Sequence, residues 1–337
     1  MRGPAPEAAL PMPTPLDQAT LKRVRDIFAE ITPWSGEVPV GRTRNFLGTL
    51  ELSTAKSEGT ATESFESRRL GPADGEPFFE LVSAYWSILA ARGRYTAVSL
   101  GAHYGAPLVN AVYLLKAARP MAFRLIGVEG DRHMCTLFYA YLAENGIPPT
   151  DHCVINAVVG GDNTPVLFPV SEVPSGANYA LNDRGQRTRI YEGIVEDGRA
   201  EEVLRNVMLD MTLATNAYIP LNETDIVTAD LEVVSTVTVS DVVSPHDVVD
   251  FLEIDIQWAE IGALPPAMEV LNRKVRWIHL GTHGPQSHEA MRDMFGGQGW
   301  DIRINLTPMT EYIVPGGTFS TMDGILSLRN PRLAADL

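Results

Sequence analysis

The feature that most constrains the fold of this chain is an apolar run that breaks at two glycines and then resumes with helical spacing. The stretch AVSLGAHYGAPLVNAVYLL extends from Ala97 to Leu115, and Gly101 and Gly105 interrupt it. In α/β proteins, a strand that enters a glycine turn and leaves as a helix brings bare backbone and a helix N-terminus close to a ligand. The stretch therefore predicts a ligand-binding strand, turn and helix.

A carboxylate ends the next apolar run, which extends from Phe123 to Glu129. A carboxylate offers two acceptor oxygens and no donor, so at the end of a second strand it can bind both hydroxyls of a ribose. Together, the glycine turn and Glu129 indicate a cofactor that contains adenosine. The alternative is a purely structural turn.

The spacing of the glycines favours one such cofactor. Gly101-Ala-His-Tyr-Gly105 differs from the GxGxxG of dinucleotide-binding dehydrogenases, whose amides surround two phosphates. A flatter Gly-x-x-x-Gly turn can pass beneath the methionine part of S-adenosylmethionine. Asn156, in the turn after the third strand, can contact adenine or ribose, or can be an ordinary turn asparagine.

Strands and helices are predicted to alternate along most of the chain. The predicted strands span 95–100, 122–128, 152–159, 248–254, 275–281 and 301–306, and the predicted helices span 107–118, 133–145, 258–272 and 286–298. Strands separated by helices of about 10 to 15 residues favour right-handed crossovers and a mainly parallel sheet. A final hairpin strand is predicted near 325–328.

An N-terminal extension is predicted to precede this alternation. Residues 1–76 form a leader, a helix over 17–31 and a long connection with at most short strands, such as 46–52. A helix over 77–92, with an aromatic stripe of the width of a core-facing surface, opens a single domain over 77–337.

An insertion interrupts the alternation at 161–231. It contains an apolar run at 166–170, a predicted helix over 199–209 and polar connections. We interpret an insertion of this length as a lid, an acceptor platform or an oligomer contact. The sequence leaves open whether the protein forms a homodimer.

Composition excludes several classes of partner. The chain has 27 basic and 42 acidic side chains and a net charge of −15, so its surface repels nucleic-acid phosphates and anionic lipid heads. Two cysteines, Cys135 and Cys153, are too few for a disulfide framework and lack a metal-binding spacing. We expect no nucleic acid or membrane partner and a cytoplasmic location.

A second polar group follows the fourth and fifth strands of the predicted sheet. Asp255 and Glu260 stand at the strand-to-helix switch in Val249-Asp-Phe-Leu-Glu-Ile-Asp-Ile-Gln-Trp-Ala-Glu260, and His283 follows the next strand. The carboxyl ends of parallel strands share one sheet edge, so these side chains can converge there. The order of the motifs resembles the FkbM family of S-adenosylmethionine-dependent methyltransferases over about half the chain.

This resemblance implies a class I methyltransferase-type Rossmann-like fold with a seven-stranded sheet and a reversed final strand. It also implies methyl transfer to a hydroxyl of a sugar, polyketide or other secondary metabolite. The acceptor is a small molecule or a peptide, and N-methylation of a peptide or amine is the alternative. The residues that it assigns to the cofactor are Gly101, His103, Tyr104, Gly105, Glu129, Gly130, Asn156 and Ala157. The chain departs from the family pattern at Ser99, His103, Glu253 and Trp258, where Asp, Asn, Lys and Gly are common.

His283 is the leading candidate for the base that removes the acceptor proton, since imidazole accepts a proton near neutral pH. Asp255 is the other candidate, or orients the acceptor, and Glu260 either joins them or caps its helix. A divalent metal on Asp255, Glu260, His279, His283 and His288 is an alternative that no tight ligand motif supports, so we expect no metal. A Rossmann-like binding protein without catalysis is the competing class.

Overall fold

The computed structural model describes residues 13–40, 42–51, 62–170 and 230–335. Its α-helices are α1 Gln18–Val24, α2 Glu76–Ala90, α3 Ala106–Ala118, α4 Arg132–Glu144, α5 Val239–Val243, α6 Glu260–Ala263, α7 Met268–Lys274 and α8 Gly284–Gly297. Its first eight strands are β1 Thr14–Pro15, β2 Ser35–Pro39, β3 Thr62–Glu66, β4 Arg94–Leu100, β5 Ala122–Glu129, β6 His152–Asn156, β7 Val158–Gly160 and β8 Val166–Val170. The later strands are β9 Asp230–Val234, β10 Thr236–Thr238, β11 Val249–Ile254, β12 Val275–Thr282, β13 Asp301–Leu306, β14 Thr310–Val314, β15 Gly317–Thr321 and β16 Gly324–Arg329.

A seven-stranded sheet forms the centre of the molecule, with the strand order β13-β16-β12-β11-β4-β5-β6. The neighbours from β12 to β6 run parallel, and β16 is antiparallel to both β12 and β13. This is the predicted class I methyltransferase-type arrangement with a reversed final strand, so the fold class is confirmed. The reversed strand begins at the edge where the parallel strands end, which brings the preceding loop to that same edge.

The alternation of side chains along each strand builds a separate core on each face of the sheet. Phe251 and Trp277 contribute to the core beneath α2, α3 and α4, whereas Leu252 and Ile278 contribute to the core beneath α5, α7 and α8. Every residue of β11 is buried, because helices cover both faces of a central parallel strand.

The N-terminal extension packs against the core beneath α2, to which Val24, Phe28 and Phe46 contribute. Asp17 caps α1 as expected, since its side chain accepts the backbone N–H of Thr20 at 2.8 Å. The helix ends at Val24, earlier than predicted, and turns follow it. The prediction of a strand at 46–52 is wrong in its described part, because the Asn45 side chain accepts backbone N–H groups and forms a turn there.

Two predicted elements are interrupted where the structure departs from regular geometry. The strand predicted at 152–159 divides at Ala157 into β6, which belongs to the sheet, and β7, which pairs with β10. The helix predicted at 258–272 divides at Pro265 and Pro266, whose rings remove two backbone donors. The apolar run at 166–170 is β8, which pairs with β9, while the predicted helix at 199–209 lies outside the described residues.

Candidate active site

The glycine turn after β4 contains three left-handed residues, Gly101, His103 and Gly105, with φ of 81°, 48° and 91°. A Cβ on Gly101 would lie 1.8 Å from the carbonyl oxygen of Asp255, so no other residue fits there without moving the end of β11. A Cβ on Gly105, which precedes α3, would lie 2.7 Å from the ring of Phe138. The turn therefore brings the backbone close to its neighbours at both glycines.

Glu129, the last residue of β5, is tied to this turn by its carboxylate. One oxygen accepts the backbone N–H of His103 and the other that of Asp131, each at 2.8 Å. Burial raises the pKa of Glu129 to about 7, although the two N–H donors favour the ionised form. The carboxylate is thus fixed in orientation at the end of the second strand of the predicted motif.

A cavity of about 170 Å³ lies between the glycine turn and the ends of β5 and β7. Apart from the turn and Glu129, its walls combine the polar side chains of Asp255 and Gln257 with residues that are mostly apolar: Val128, Gly130, Met134, Ala157, Val158, Val159, Phe168 and Ile256. Apolar walls suit a purine ring, and a carboxylate at one end suits ribose hydroxyls. The cavity thus combines apolar walls with a carboxylate at one end, at the edge where the parallel strands end.

The predicted cofactor residues do not all meet in this cavity. Gly101, His103, Glu129, Gly130 and Ala157 line it. Asn156 is exposed, and its side-chain amide donates to the carbonyl oxygens of Glu129 and Gly130 at 3.0 and 2.9 Å, which holds that turn. Tyr104 instead lines a second cavity on the opposite side of the glycine turn.

The three predicted catalytic residues lie together at the edge of the sheet. Nδ1 of His283 is 2.8 Å from Oε1 of Glu260, and Nε2 is 3.3 Å from Oδ1 of Asp255. Asp323, which precedes the reversed strand β16, lies 3.9 Å from the same Nε2. Glu260 is fully buried and His283 almost so, whereas the Asp255 side chain is 42% exposed and borders both cavities.

Charge pairing sets the protonation of this group. Burial opposes a charged His283, but Glu260 and Asp255 outweigh it and hold the pKa of the imidazole well above its usual range. Burial likewise opposes ionisation of Asp255, but the bond to His283 prevails and lowers its pKa. At neutral pH the group is therefore an imidazolium held between carboxylates, so His283 becomes a base only after it loses a proton.

The segment that carries Asp255 has an unusual backbone. Gln257 and Trp258 have φ of 48° and 76°, in the left-handed region that favours glycine. Such strain is retained where the surroundings enforce it. Here the Trp258 ring lies close to Gly284 and 6.0 Å from the ring of His283.

The second cavity, of about 180 Å³, is lined by four carboxylates that come from α2 and from β11 with its C-terminal end: Glu76, Glu80, Glu253 and Asp255. His279 from β12 and Tyr104 also line it. We did not predict Glu76, Glu80, Glu253 or Asp323 as site residues from the sequence. The available signal was the spacing of Glu76, Glu80 and Ser83 on one side of an otherwise apolar helix.

Two features of the described residues bear on metal ligation and on membrane insertion. Within those ranges no group of three or more His, Cys, Asp or Glu side chains is arranged to hold a metal ion. His279 contacts Ser83, while His288 contacts Thr282 and Asn305, so neither joins the group around His283. No helix among the described residues is long and apolar enough to cross a membrane.

Comparison with known proteins gave one curated relative and several solved structures. No family model matches the chain. A protein of Jannaschia sp. (strain CCS1) named "Putative methyltransferase" is 24% identical over 254 residues, which are 75% of this chain and 79% of that protein.

The solved structures are more distant in sequence. The methyltransferase FkbM from Methylobacillus flagellatus KT is 12% identical with a TM-score of 0.39, and the match covers 74% of this chain and 53% of that one. A "putative RNA methyltransferase" from Pyrococcus horikoshii is 11% identical with a TM-score of 0.35, over 76% and 86% of the two chains. The N-terminal domain of human METTL16 in complex with SAH is 9% identical with a TM-score of 0.33, over 93% and 81%.

Proposed function

We propose that this chain is an S-adenosylmethionine-dependent methyltransferase of the FkbM type. The observation that carries the proposal is Glu129, whose two oxygens are anchored to the glycine turn and to the start of α4 beside an apolar cavity. The strand order and the curated relative named as a methyltransferase support the same activity.

The residues present fit the cofactor. Glu129 would hold the ribose hydroxyls, the walls around Met134 and Phe168 would enclose the adenine, and the turn at Gly101 would approach the methionine part. When bound, S-adenosylmethionine supplies an electrophilic methyl group on a sulfonium. The protein contributes position and orientation, which account for about 7 to 11 kcal/mol in favourable intramolecular models.

Asp255 is the group best placed to contact the acceptor. It borders both cavities and is the most exposed member of the His283 group, whereas Glu260 is fully buried. We assign to Asp255 the acceptance of the acceptor proton, with His283 fixing the orientation of its carboxylate and Glu260 fixing His283. From the sequence, His283 was the leading candidate for the base and Asp255 the second. The assignment now prefers Asp255, because His283 is already protonated.

The acceptor that we propose first is a hydroxyl of a sugar, polyketide or related small molecule, as the FkbM resemblance implies. The acidic second cavity favours a second candidate, an amine acceptor. The net charge of −15 disfavours nucleic acid. Because one similar structure is described as an RNA methyltransferase, RNA still belongs among the acceptors to be tested.

Calorimetric titration of the full chain with S-adenosylmethionine tests the proposal. We expect saturable binding of one cofactor per chain, with competition by S-adenosylhomocysteine. A screen with labelled cofactor against sugars, polyketides, peptides, amines and an RNA oligonucleotide then identifies the acceptor class. Absence of cofactor binding, with and without these acceptors, would refute the enzyme assignment and favour a non-catalytic protein of the same fold.

A further inference from the structure

A row of polar side chains crosses the sheet on the face that α2 covers. Ser99, Glu253, His279 and Ser327 stand opposite one another on four adjacent strands. Each of them is at least nine-tenths buried. On the same face, two residues earlier along β11 and β12, the side chains are the apolar Phe251 and Trp277. A polar row at this depth requires hydrogen-bond partners.

The protein supplies only part of those partners. The Ser99 hydroxyl donates to Oε2 of Glu253 at 2.5 Å, and the Ser83 hydroxyl lies 3.1 Å from Nδ1 of His279. Among the described residues, Oε1 of Glu253 and Nε2 of His279 have no hydrogen-bond partner, and both side chains line the second cavity. Oε1 of Glu253 therefore opens to the cavity from a side chain that is otherwise buried, where a donor on a ligand can reach it.

The charge of the cavity defines that ligand. Glu76 and Glu80 from α2 join Glu253 and Asp255, and no Lys or Arg is among the described residues that line the cavity. Burial and the neighbouring carboxylates raise the pKa of Glu80 to about 8 and hold the pKa of Glu253 well above its usual range. Both groups are therefore largely protonated at neutral pH in the empty cavity, and a bound cation favours their ionised forms. Burial lowers the pKa of His279 to about 4, so this imidazole is neutral and adds no positive charge.

We propose that this carboxylate cavity binds an organic ammonium group. An ammonium offers several N–H donors and a positive charge, which match the Glu253 oxygen that lacks a donor and the acidic side chains around it. A metal ion fits less well, because in the described chain no three of these ligands are arranged around one point. The inference rests on the proposed function, since the cavity shares Gly101, His103 and Asp255 with the cofactor cavity.

An ammonium group in a methyltransferase reaction can come from two sources. One is an acceptor that bears an amine, and the other is the amino acid part of the cofactor. The acceptor is the better match, because the cofactor's own carboxylate would face the ionised Asp255 in an acidic cavity that has no Lys or Arg among its described lining residues. Glu76 is also exposed to solvent and lies at the N-terminal end of α2, where an acceptor can enter. The substrate class is therefore a small molecule that presents an amine near the methylated atom.

The test uses n-butylammonium and its neutral isostere n-butanol as probes of the cavity in the full chain. Ligand-observed NMR titrations are performed at pH 7.5, both with the protein alone and with the protein saturated by S-adenosylhomocysteine. We expect butylammonium to bind at least about 10-fold more tightly than butanol, since it alone carries the charge. Glu80→Gln and Glu253→Gln, which keep the side-chain shape, should each weaken butylammonium at least about 10-fold, and Glu269→Gln on the solvent face of α7 should not.

Several outcomes overturn the proposal. Equal binding of butanol and butylammonium, or unchanged butylammonium binding in both glutamine variants, excludes an ammonium site. Exclusion of butylammonium by S-adenosylhomocysteine, together with an equal loss of S-adenosylmethionine affinity in Glu80→Gln, places the cofactor in the cavity and overturns the acceptor assignment. If the protein binds neither S-adenosylmethionine nor S-adenosylhomocysteine, the proposed function is contradicted. This result can be told apart from failure of the ammonium site, because butylammonium binding is also measured without either molecule.

Discussion

Glu80→Gln should stabilise the protein without cofactor, and the stabilisation should grow as the pH rises. The native pKa of Glu80 is about 8, against an ordinary value of 4.5. Burial is the main cause, and Glu76 and Asp255 add repulsion; Glu253, His279 and Tyr104 also face the cavity. Because the unfolded chain releases this proton at lower pH than the native protein, the free energy of unfolding falls between about pH 4.5 and pH 8.

The magnitude follows from the same pair of pKa values. The full difference corresponds to at most about 5 kcal/mol above pH 8, at about 1.4 kcal/mol per pKa unit. Glu80 is only half-buried and borders a cavity that water can enter, so we expect a difference of about 1 to 3 kcal/mol. Glutamine does not titrate, so Glu80→Gln should match the wild type near pH 4.5 and exceed it by this amount at pH 9.

Urea unfolding of the two proteins between pH 5 and pH 9, followed by circular dichroism, measures the effect. Glu269→Gln is the matched control, because the Glu269 side chain is 83% exposed and pairs only with Arg273 on its own helix. Its difference from the wild type should stay within about 0.5 kcal/mol at every pH. A stability difference for Glu80→Gln that is constant with pH, or that favours the wild type at pH 9, would refute this account of the cavity.

Three further predictions concern the glycine turn and the groups around it. Glu129→Ala should weaken S-adenosylmethionine binding by about 1 to 3 kcal/mol in calorimetry, because a charge-assisted acceptor of the ribose hydroxyls is lost; equal affinity would remove Glu129 from the site. Gly101→Ala should lower the free energy of unfolding, measured in urea, by at least about 3 kcal/mol, because the added Cβ meets the Asp255 carbonyl. Gly71→Ala is the control: the space around Gly71 is open, so the free energy of unfolding should change by less than about 0.5 kcal/mol. His283→Ala should retain cofactor binding and lose about 100-fold in turnover, because Asp255 loses the partner that orients it; full activity would exclude His283 from the reaction.

The strands and helices could be predicted because, in each of them, the spacing of apolar residues follows the side chains that are buried. The strands around Leu252 and Ile278 are buried on both faces and carry apolar residues on both, so their positions are clear from the sequence. Glu129 and Asp255 were found because each ends such a strand. The breaks at Ala157 and at Pro265 were missed, since apolar spacing continues across them while the backbone geometry does not.

The second cavity and the protonation of His283 could not be predicted from the sequence. Glu80 and Glu253 are 173 positions apart, and only the packing of α2 on the sheet brings both to one cavity. A histidine after a strand is by itself compatible with either a base or an imidazolium. Whether His283 is a neutral base or an imidazolium depends on Glu260 and Asp255, which lie on either side of the ring. Their distances from the ring are defined only by the folded chain.

Two buried acidic side chains on β11 illustrate how a structural acid differs from one that we propose binds a ligand. Asp250, near the start of the strand, is 1% exposed, forms an ion pair with Arg276 and accepts the backbone N–H of Thr96 at 2.9 Å. Glu253, three residues later, is 5% exposed and has only the Ser99 hydroxyl. A buried charge that has a full set of partners can serve the fold alone, whereas a carboxylate with a free oxygen facing a cavity weakens it. Because both acids lie on one strand of one sheet, their contrast agrees with the ligand-binding end that we propose at the carboxyl edge, where the glycine turn, Asp255 and His283 also meet.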